Sequence, residues 1–137
     1  MVRKASGLLA LAGAALLAAA TPTLAHHAVN AQFDPNAETS MSGTLSKFDN
    51  RAPHAYWTFM DDKSGAEWKF ESVSPATLRR AGIKLKDDIT VGTKYTFYYS
   101  PARDKSHTGL MRGIVINGKR LDFLQDYISP PGAAPKS

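Results

Sequence analysis

Four histidines are the residues of this chain best suited to bind a metal ion: His26, His27, His54 and His107. His26 follows Leu24-Ala25, where small residues end an apolar leader. A cut after Ala25 would make His26 the first residue of the mature chain, with its free amine beside its own imidazole. Both groups are nitrogen donors that suit Cu(II), which also tops the affinity order of the divalent first-row metals. The sequence therefore predicts copper binding at the mature N-terminus, provided that the cut falls there.

Several ligand sets for copper are open. His26 could bind through its amine and ring, with His54 or His107 completing a set of three nitrogens. His27 offers a second mode, in which the amine, the intervening backbone amide and its ring bind the ion. Zinc is less favoured, because the chain has no cysteine and no close histidine pair with the spacing of a structural zinc site. The alternative is that all four histidines are ordinary polar residues of the terminus and the loops.

Residues 1–25 have the features of a signal peptide. Arg3 and Lys4 form a positive start, and Gly7 to Ala20 is an apolar run of about 14 residues, short for a membrane-spanning helix. We expect cleavage after Ala25, export to the periplasm or the medium, and no stable membrane insertion after processing. A cut after Ala20, or an uncleaved anchor, would leave His26 inside the chain and remove the copper hypothesis.

Composition restricts the mature chain to one small domain. A cut after Ala25 leaves 112 of the 137 residues, enough for a single hydrophobic core. The formal net charge of +5 falls to +3 because Arg3 and Lys4 leave with the leader. That balance is too weak for a nucleic-acid binder, and export separates the protein from cellular nucleic acid. The absence of cysteine excludes disulfides and thiol chemistry.

Alternating apolar and polar residues indicate a mainly β domain. Aromatic side chains alternate with charged ones, most clearly where Trp68 and Phe70 are interleaved with glutamate and lysine. Ser74-Pro75 indicates the start of a short helix that ends near Ala81, and Asn117-Gly118 indicates a hairpin. The predicted strands are Ser40 to Phe48, His54 to Met60, Glu67 to Val73, Thr93 to Ser100 and Leu110 to Ile116.

Three strands, a helix and two strands follow one another in the order of the OB-fold. We therefore predict a small OB-like five-stranded β-barrel over residues 40–127, with one short helix between strands 3 and 4. An extended arm over 26–39, with Phe33 as its anchor, precedes it, and a disordered tail over 128–137 follows. In OB-folds the loops after strands 1 and 4 flank one binding face, so His54 and His107 are expected to converge.

The sequence favours a binding module over an enzyme. No arrangement links a nucleophile, a base and an orienting group, and no glycine-rich phosphate loop is present. We therefore expect no catalytic residues and no cofactor other than copper. The alternative to copper is a metal-free interaction domain, whose partner is an envelope protein or glycan or another small ligand.

Several short motifs together resemble an uncharacterised family of short exported proteobacterial proteins. The motifs are His26-His27-Ala28, Ser42-Gly43-Thr44-Leu45, Pro53-His54-Ala55-Tyr56-Trp57, Ser74-Pro75 and Val91-Gly92-Thr93. The resemblance covers nearly the whole mature chain and implies export and a single domain of unknown function. Arg51-Ala52-Pro53 departs from the Asn-Pro form of the family. The resemblance directs attention to His26, His27 and His54 and implies no activity.

Overall fold

The computed structural model describes residues 29–124, which contain six strands, a short helix between the third and fourth strands, and helical residues 29–32. His26 and His27, the predicted signal peptide and the predicted tail over 128–137 lie outside the described residues. Within residues 29–124, no helix is long and apolar enough to cross a membrane. The elements are β1 (Thr39–Asp49), β2 (Tyr56–Asp61), β3 (Glu67–Glu71), α1 (Pro75–Arg80), β4 (Lys94–Pro101), β5 (Thr108–Ile116) and β6 (Lys119–Asp122).

The segment before β1 is anchored at Phe33. Residues 29–32 are helical, which differs from the extended conformation predicted for them. Phe33 forms an isolated antiparallel bridge with Ala102, and its side chain is only 3% exposed. The Asp34 N–H then donates to the Pro101 carbonyl at 3.1 Å. Phe33 is therefore the anchor that the sequence predicts, on the segment that follows β4.

Strand β1 is an inner strand of the sheet, because it pairs with β2 on one side and with β4 on the other. Its alternation buries Gly43 and Leu45, as the sequence predicts. The register with β2 shifts between Leu45 and Lys47, which marks a β-bulge. Beyond the bulge, the Phe48 ring packs against Trp57 with ring centroids 4.3 Å apart. The bulge thus lets the last part of β1 contribute an aromatic side chain to the core.

The strands form a closed OB-like barrel. Their order in the sheet is β3-β2-β1-β4-β5-β6, and a parallel pairing of β3 with β5 closes the first five strands into a ring. The prediction of a small OB-like five-stranded barrel with one helix between β3 and β4 is confirmed. β6 is a sixth strand, paired with β5 through the Asn117-Gly118 hairpin, where both residues have positive φ.

Aromatic side chains from three strands, β2, β3 and β4, fill the barrel. Trp57, Phe59, Phe70 and Phe97 are each at most 1% exposed. The Phe97 ring lies 4.2 Å from the Phe59 ring and 4.8 Å from the Phe70 ring, measured between centroids. Packed aromatic pairs stabilise a core by about 0.5–1.5 kcal/mol beyond the area that they bury. The alternating aromatics in the sequence therefore mark the interior correctly.

Helix α1 is short and begins and ends at the residues that its sequence favours. The Ser74 hydroxyl accepts a hydrogen bond from the Thr77 N–H, and Pro75 occupies the first turn. Leu78 is fully buried and Pro75 is buried as well, so two apolar side chains fix the helix to the barrel. The chain leaves the helix through Gly82, whose φ of 96° is accessible to glycine at low cost.

Two arginines join the chain before β1 to the last two strands. Glu38 accepts hydrogen bonds from Arg120 at 3.1 and 3.0 Å and pairs with Arg112 at 3.1 Å. The Arg120 guanidinium also pairs with Asp122 at 2.7 Å and lies 3.8 Å above the Tyr98 ring. Burial alone would lower the pKa of Arg120, but the hydrogen bonds with Glu38 and Asp122 raise it above its ordinary value. Arg120 is therefore permanently charged and fully partnered.

Candidate functional site

His107 lies on the β4–β5 loop and stacks on an aromatic ring of β3. Its imidazole is 4.6 Å from the Trp68 ring between centroids, with the planes 18° apart. Its carbonyl accepts the Lys69 N–H at 3.0 Å, which continues the β3–β5 pairing into the loop. His107 is exposed and Trp68 is half-buried. The stacking therefore orients the His107 imidazole without covering its ring nitrogens.

The loop that carries His107 is ordered by its own hydrogen bonds. The Asp104 carboxylate accepts the Ser106 N–H at 2.9 Å, and hydrogen bonding by Ser106 lowers the pKa of that carboxyl below its usual value. The Ser106 and Thr108 hydroxyls lie 2.9 Å apart. Lys105 takes the left-handed conformation, with a φ of 61°, and donates its N–H to the Ala102 carbonyl at 3.1 Å. His107 is thus presented by a structured turn.

The anchor of the N-terminal segment lies close to this loop. Phe33 bridges Ala102, and the Ala102 N–H donates to the Thr108 carbonyl at 3.3 Å. Two strand spacings of about 5 Å each therefore separate Phe33 from Thr108, the neighbour of His107. Phe33 therefore lies close to His107, one of the four predicted metal ligands.

His54 lies at the other end of β3 and is held by a carboxylate. It follows the cis peptide bond between Ala52 and Pro53, and its Nδ1 pairs with a Glu71 carboxylate oxygen. The side chains of His54 and Glu71 are 29% and 22% exposed. With Nδ1 engaged by Glu71, Nε2 is the ring nitrogen available to a ligand. The imidazole is therefore fixed in orientation with one nitrogen free of this ion pair.

The structure does not bring His54 and His107 together, contrary to the expected convergence. His107 packs on Trp68, whose side chain lies on the inner face of β3, whereas His54 pairs with Glu71 on the other face. Three residues along a strand span about 10 Å. Metal–nitrogen bonds of about 2 Å cannot bridge that gap. Among residues 29–124, no three His, Asp or Glu side chains form a metal-binding group.

A half-open cavity of about 430 Å³ lies beside His54, between the β1–β2 loop and α1. Ser74, Thr77 and Arg80 supply its polar wall. They lie three residues apart, which is the spacing of one helix face. Val73 and Phe123 also line the cavity and contribute apolar surface. This wall of donors was not among the predicted site residues, although the spacing of Ser74, Thr77 and Arg80 is visible in the sequence.

Arg80 is the least neutralised charge at this cavity. Its guanidinium donates to the Thr77 hydroxyl at 3.0 Å, which is a neutral partner. Asp122 also lines the cavity, and its carboxylate is paired with Arg120 at 2.7 Å; Glu71 is paired with His54. Of the two oppositely charged side chains in the lining, Asp122 thus has a cationic partner, whereas Arg80 has a neutral one.

A second cavity, of about 420 Å³, lies on the outer surface near the β2–β3 turn. Lys94 and Asp62 pair across it at 2.7 Å, and the Ser42 and Thr96 hydroxyls lie 2.9 Å apart. Hydrogen bonds from Ser64 lower the pKa of Asp61, which also lines this cavity. Because the charged groups named here have partners in the protein, this cavity offers less to a ligand than the one beside His54.

The outer face of β2 presents two large side chains to solvent. Tyr56 is 49% exposed and Met60 is 37% exposed, and both point away from the core. Partial burial and the carboxylates of Glu71 and Asp49 raise the pKa of the Tyr56 hydroxyl. Among residues 29–124, the other exposed large hydrophobic side chain is Val91, at 58%.

Comparison with known proteins identifies the family. A sequence model of a family of unknown function, DUF6152, matches residues 14–112. The chain belongs to this family. The DUF6152 match covers the predicted strands 1–4 and the first residues of strand 5, in accordance with the resemblance of the sequence to an uncharacterised family. No curated protein matches the DUF6152 chain.

One solved structure with a similar chain path is the mitochondrial single-stranded DNA binding protein Rim1 from S. cerevisiae. The TM-score is 0.46 and the sequence identity 9%, over 59% of this chain and 93% of that chain.

Proposed function

We propose that this protein is an exported, periplasmic binding module that holds copper at the N-terminus of its mature chain, and that it is not an enzyme. His26 would bind the ion through its amine and imidazole once the chain is cut after Ala25. The chemistry of the donors supports copper, because amine and imidazole nitrogens suit Cu(II). His27 supplies the second mode, through the amine, a backbone amide and its own ring.

The exposure and fixed orientation of the His107 side chain support the proposal that it supplies the third nitrogen ligand. His107 is exposed, oriented by Trp68 and carried by an ordered loop. Phe33 lies seven residues after His26, and because residues 29–32 are helical this length spans less than the roughly 25 Å of a fully extended chain. Because Phe33 bridges Ala102 at the base of the same loop, His107 is the barrel histidine that this length reaches most easily.

His54 is the alternative third ligand. Metal-binding histidines usually donate their second ring N–H to a carboxylate, which fixes the tautomer and orientation, and Glu71 fills that role for His54. His54 lies farther from Phe33, at the opposite end of β3. The two choices are separable by experiment because the histidines are not neighbours.

The first test is a competition titration of Cu(II) against protein that has been exported and processed in cells, with its N-terminus read by mass spectrometry. The matched control carries one extra residue before His26, which moves the free amine away from the His26 ring. We expect tight one-to-one binding by the processed protein and at least about tenfold weaker binding by the control. Equal and weak binding by both would refute the copper proposal.

Paired variants identify the ligand from the barrel. His107→Gln should weaken copper binding at least about tenfold, or about 1.4 kcal/mol, whereas His54→Gln should leave it within about twofold. Because Trp68 stacks on His107 and Cu(II) quenches nearby indole fluorescence, titration should quench Trp68 and spare Trp57. The reverse ranking of the two variants would assign the third nitrogen to His54.

If neither protein binds copper, the alternative is a metal-free domain that binds an envelope protein or glycan. The exposed Tyr56 and Met60 on β2 support this alternative. Co-sedimentation with purified peptidoglycan, lost on changing both residues to serine, would then support the alternative.

A further inference from the structure

We propose that the cavity between the β1–β2 loop and α1 binds a small organic carboxylate, with Arg80 as the residue that receives the anion. His54, the alternative third copper ligand, lines this cavity, but the binding of a carboxylate by Arg80 does not depend on a metal. Its volume of about 430 Å³ falls in the range of about 300–1,000 Å³ that small-molecule sites occupy.

Charge determines the class of ligand. Arg80 lines the cavity with the neutral Thr77 hydroxyl as its partner. The Asp122 carboxylate, which also lines the cavity, is paired with Arg120, and Glu71 is paired with His54. A cationic ligand would meet Arg80 without a free carboxylate to receive it. An anion would instead gain a charge-assisted hydrogen bond, which is about twice as strong as a neutral one.

The single charge of Arg80 favours a carboxylate over a phosphate. The planar guanidinium of arginine matches the oxygens of both anions, so the number of charges decides between them. A single arginine balances one negative charge rather than two. The Thr77 and Ser74 hydroxyls lie 3.1 Å apart and share one hydrogen bond, so one hydroxyl proton is left to donate to the same anion.

The remaining walls suit a ligand with an apolar part. Val73, Phe123 and Pro53 also line the cavity and contribute apolar surface. Their surfaces can cover hydrocarbon carried by the ligand while its carboxylate faces Arg80. The site therefore fits an organic acid with a small apolar group better than a bare inorganic anion.

The probe that tests this proposal is benzoate, followed by amide chemical shifts of metal-free protein at constant ionic strength. We expect saturable shifts at Val73, Thr77 and Phe123 with a Kd of about 1 mM, near −4 kcal/mol. Benzamide has the same ring without the charge and should bind at least about tenfold more weakly. Inorganic phosphate should give no saturable shifts at these residues; saturation by phosphate would overturn the choice of a carboxylate.

A neighbouring arginine provides the matched control. Arg80→Gln should weaken benzoate binding at least about tenfold, whereas Arg79→Gln, on the same helix but not lining the cavity, should change it less than about twofold. Both side chains are exposed, so both variants should fold. Equal effects of the two substitutions, or equal binding of benzamide, would overturn the proposal. Because the protein is metal-free, neither result depends on copper binding.

Discussion

Trp57 shows how a single polar side chain makes a fully buried indole acceptable in the core. The Trp57 ring is 0% exposed, and its Nε1–H donates to the Ser72 hydroxyl at 2.8 Å. Ser72 is itself buried and lies 3.2 Å from the Ala55 carbonyl, to which its hydroxyl donates. Within the part of the chain that the structure describes, no buried side-chain nitrogen or oxygen lacks a hydrogen-bond partner. One hydroxyl thus serves both as acceptor and as donor.

Ser72→Ala should therefore destabilise the protein by about 1–3 kcal/mol, because it leaves the buried indole N–H of Trp57 without a partner. Ser46→Ala is the matched control. The Ser46 hydroxyl also donates to a backbone carbonyl, that of Thr58, but it is exposed, so the expected loss is below about 0.5 kcal/mol. Urea unfolding measures both free energies. Equal losses would contradict the assignment of this cost to burial.

At the scale of elements, the closure of the barrel depends on a position without a side chain. Phe70 of β3 is paired with Gly109 of β5. A Cβ at 109 would lie 2.6 Å from Tyr99 Cδ2 and 2.9 Å from Phe70 Cε1. Both rings are packed in the core, so neither can move aside freely. Glycine is required here for space.

Gly109→Ala should destabilise the barrel by about 1–3 kcal/mol through overpacking against Phe70 and Tyr99. The same substitution in a Phe70→Leu background should cost at least about 0.5 kcal/mol less, because the smaller side chain makes room. Chemical denaturation of the four proteins completes the cycle. An identical cost in both backgrounds would contradict a contribution of Phe70 and assign the strain to Tyr99.

The strands themselves could be predicted from the sequence because each alternates its own apolar residues. Trp68 and Phe70 on β3, or Tyr95 and Phe97 on β4, indicate an inner face without reference to any partner. The bulge between Leu45 and Lys47 could not be predicted, because it depends on the register with β2. The parallel pairing of β3 with β5 follows from the OB-like order but is not encoded in either strand alone.

At the scale of the whole molecule, the two tryptophans report on opposite ends of one barrel. Trp57 bonds to Ser72, near the end where α1 begins, and Trp68 stacks on His107 at the other end. Between them, Phe59 and Phe70 connect the two ends through ring contacts at 6.0–6.4 Å. A continuous aromatic core of this kind is expected to unfold as one unit.

Single-tryptophan variants test this cooperativity. In Trp57→Phe and in Trp68→Phe, the fluorescence of the remaining tryptophan and the far-UV circular dichroism should follow the same denaturant transition. The two variants will differ in stability, because only Trp57→Phe removes the bond to Ser72, so the comparison is made within each variant. A fluorescence transition of Trp68 that precedes the loss of dichroism would show that its end of the barrel opens separately.

The candidate sites were less predictable than the fold, because their neighbours come from distant parts of the chain. The histidines could be recognised by residue type, and the position of each barrel histidine in a loop followed from the strand pattern. The pairing of His54 with Glu71 requires the register of β2 on β3. The cavity combines side chains from residues 53–54, 73–81 and 122–123, which only the closed barrel assembles. The positions of His54 and His107 in loops suggested that they converge. They do not, because they lie at opposite ends of β3.

The strand pairings that form the barrel differ in length. β1 shares six paired residues with β2 and six with β4, whereas β3 and β5 share three, from Lys69 with Thr108 to Glu71 with Leu110. A force that pulls the walls apart would therefore separate β3 from β5 first. The His107 ring spans this joint, since it lies on the β5 side and rests on Trp68 of β3. Any ion or molecule that fixes His107 to the β3 side would consequently hold together the pairing of β3 with β5.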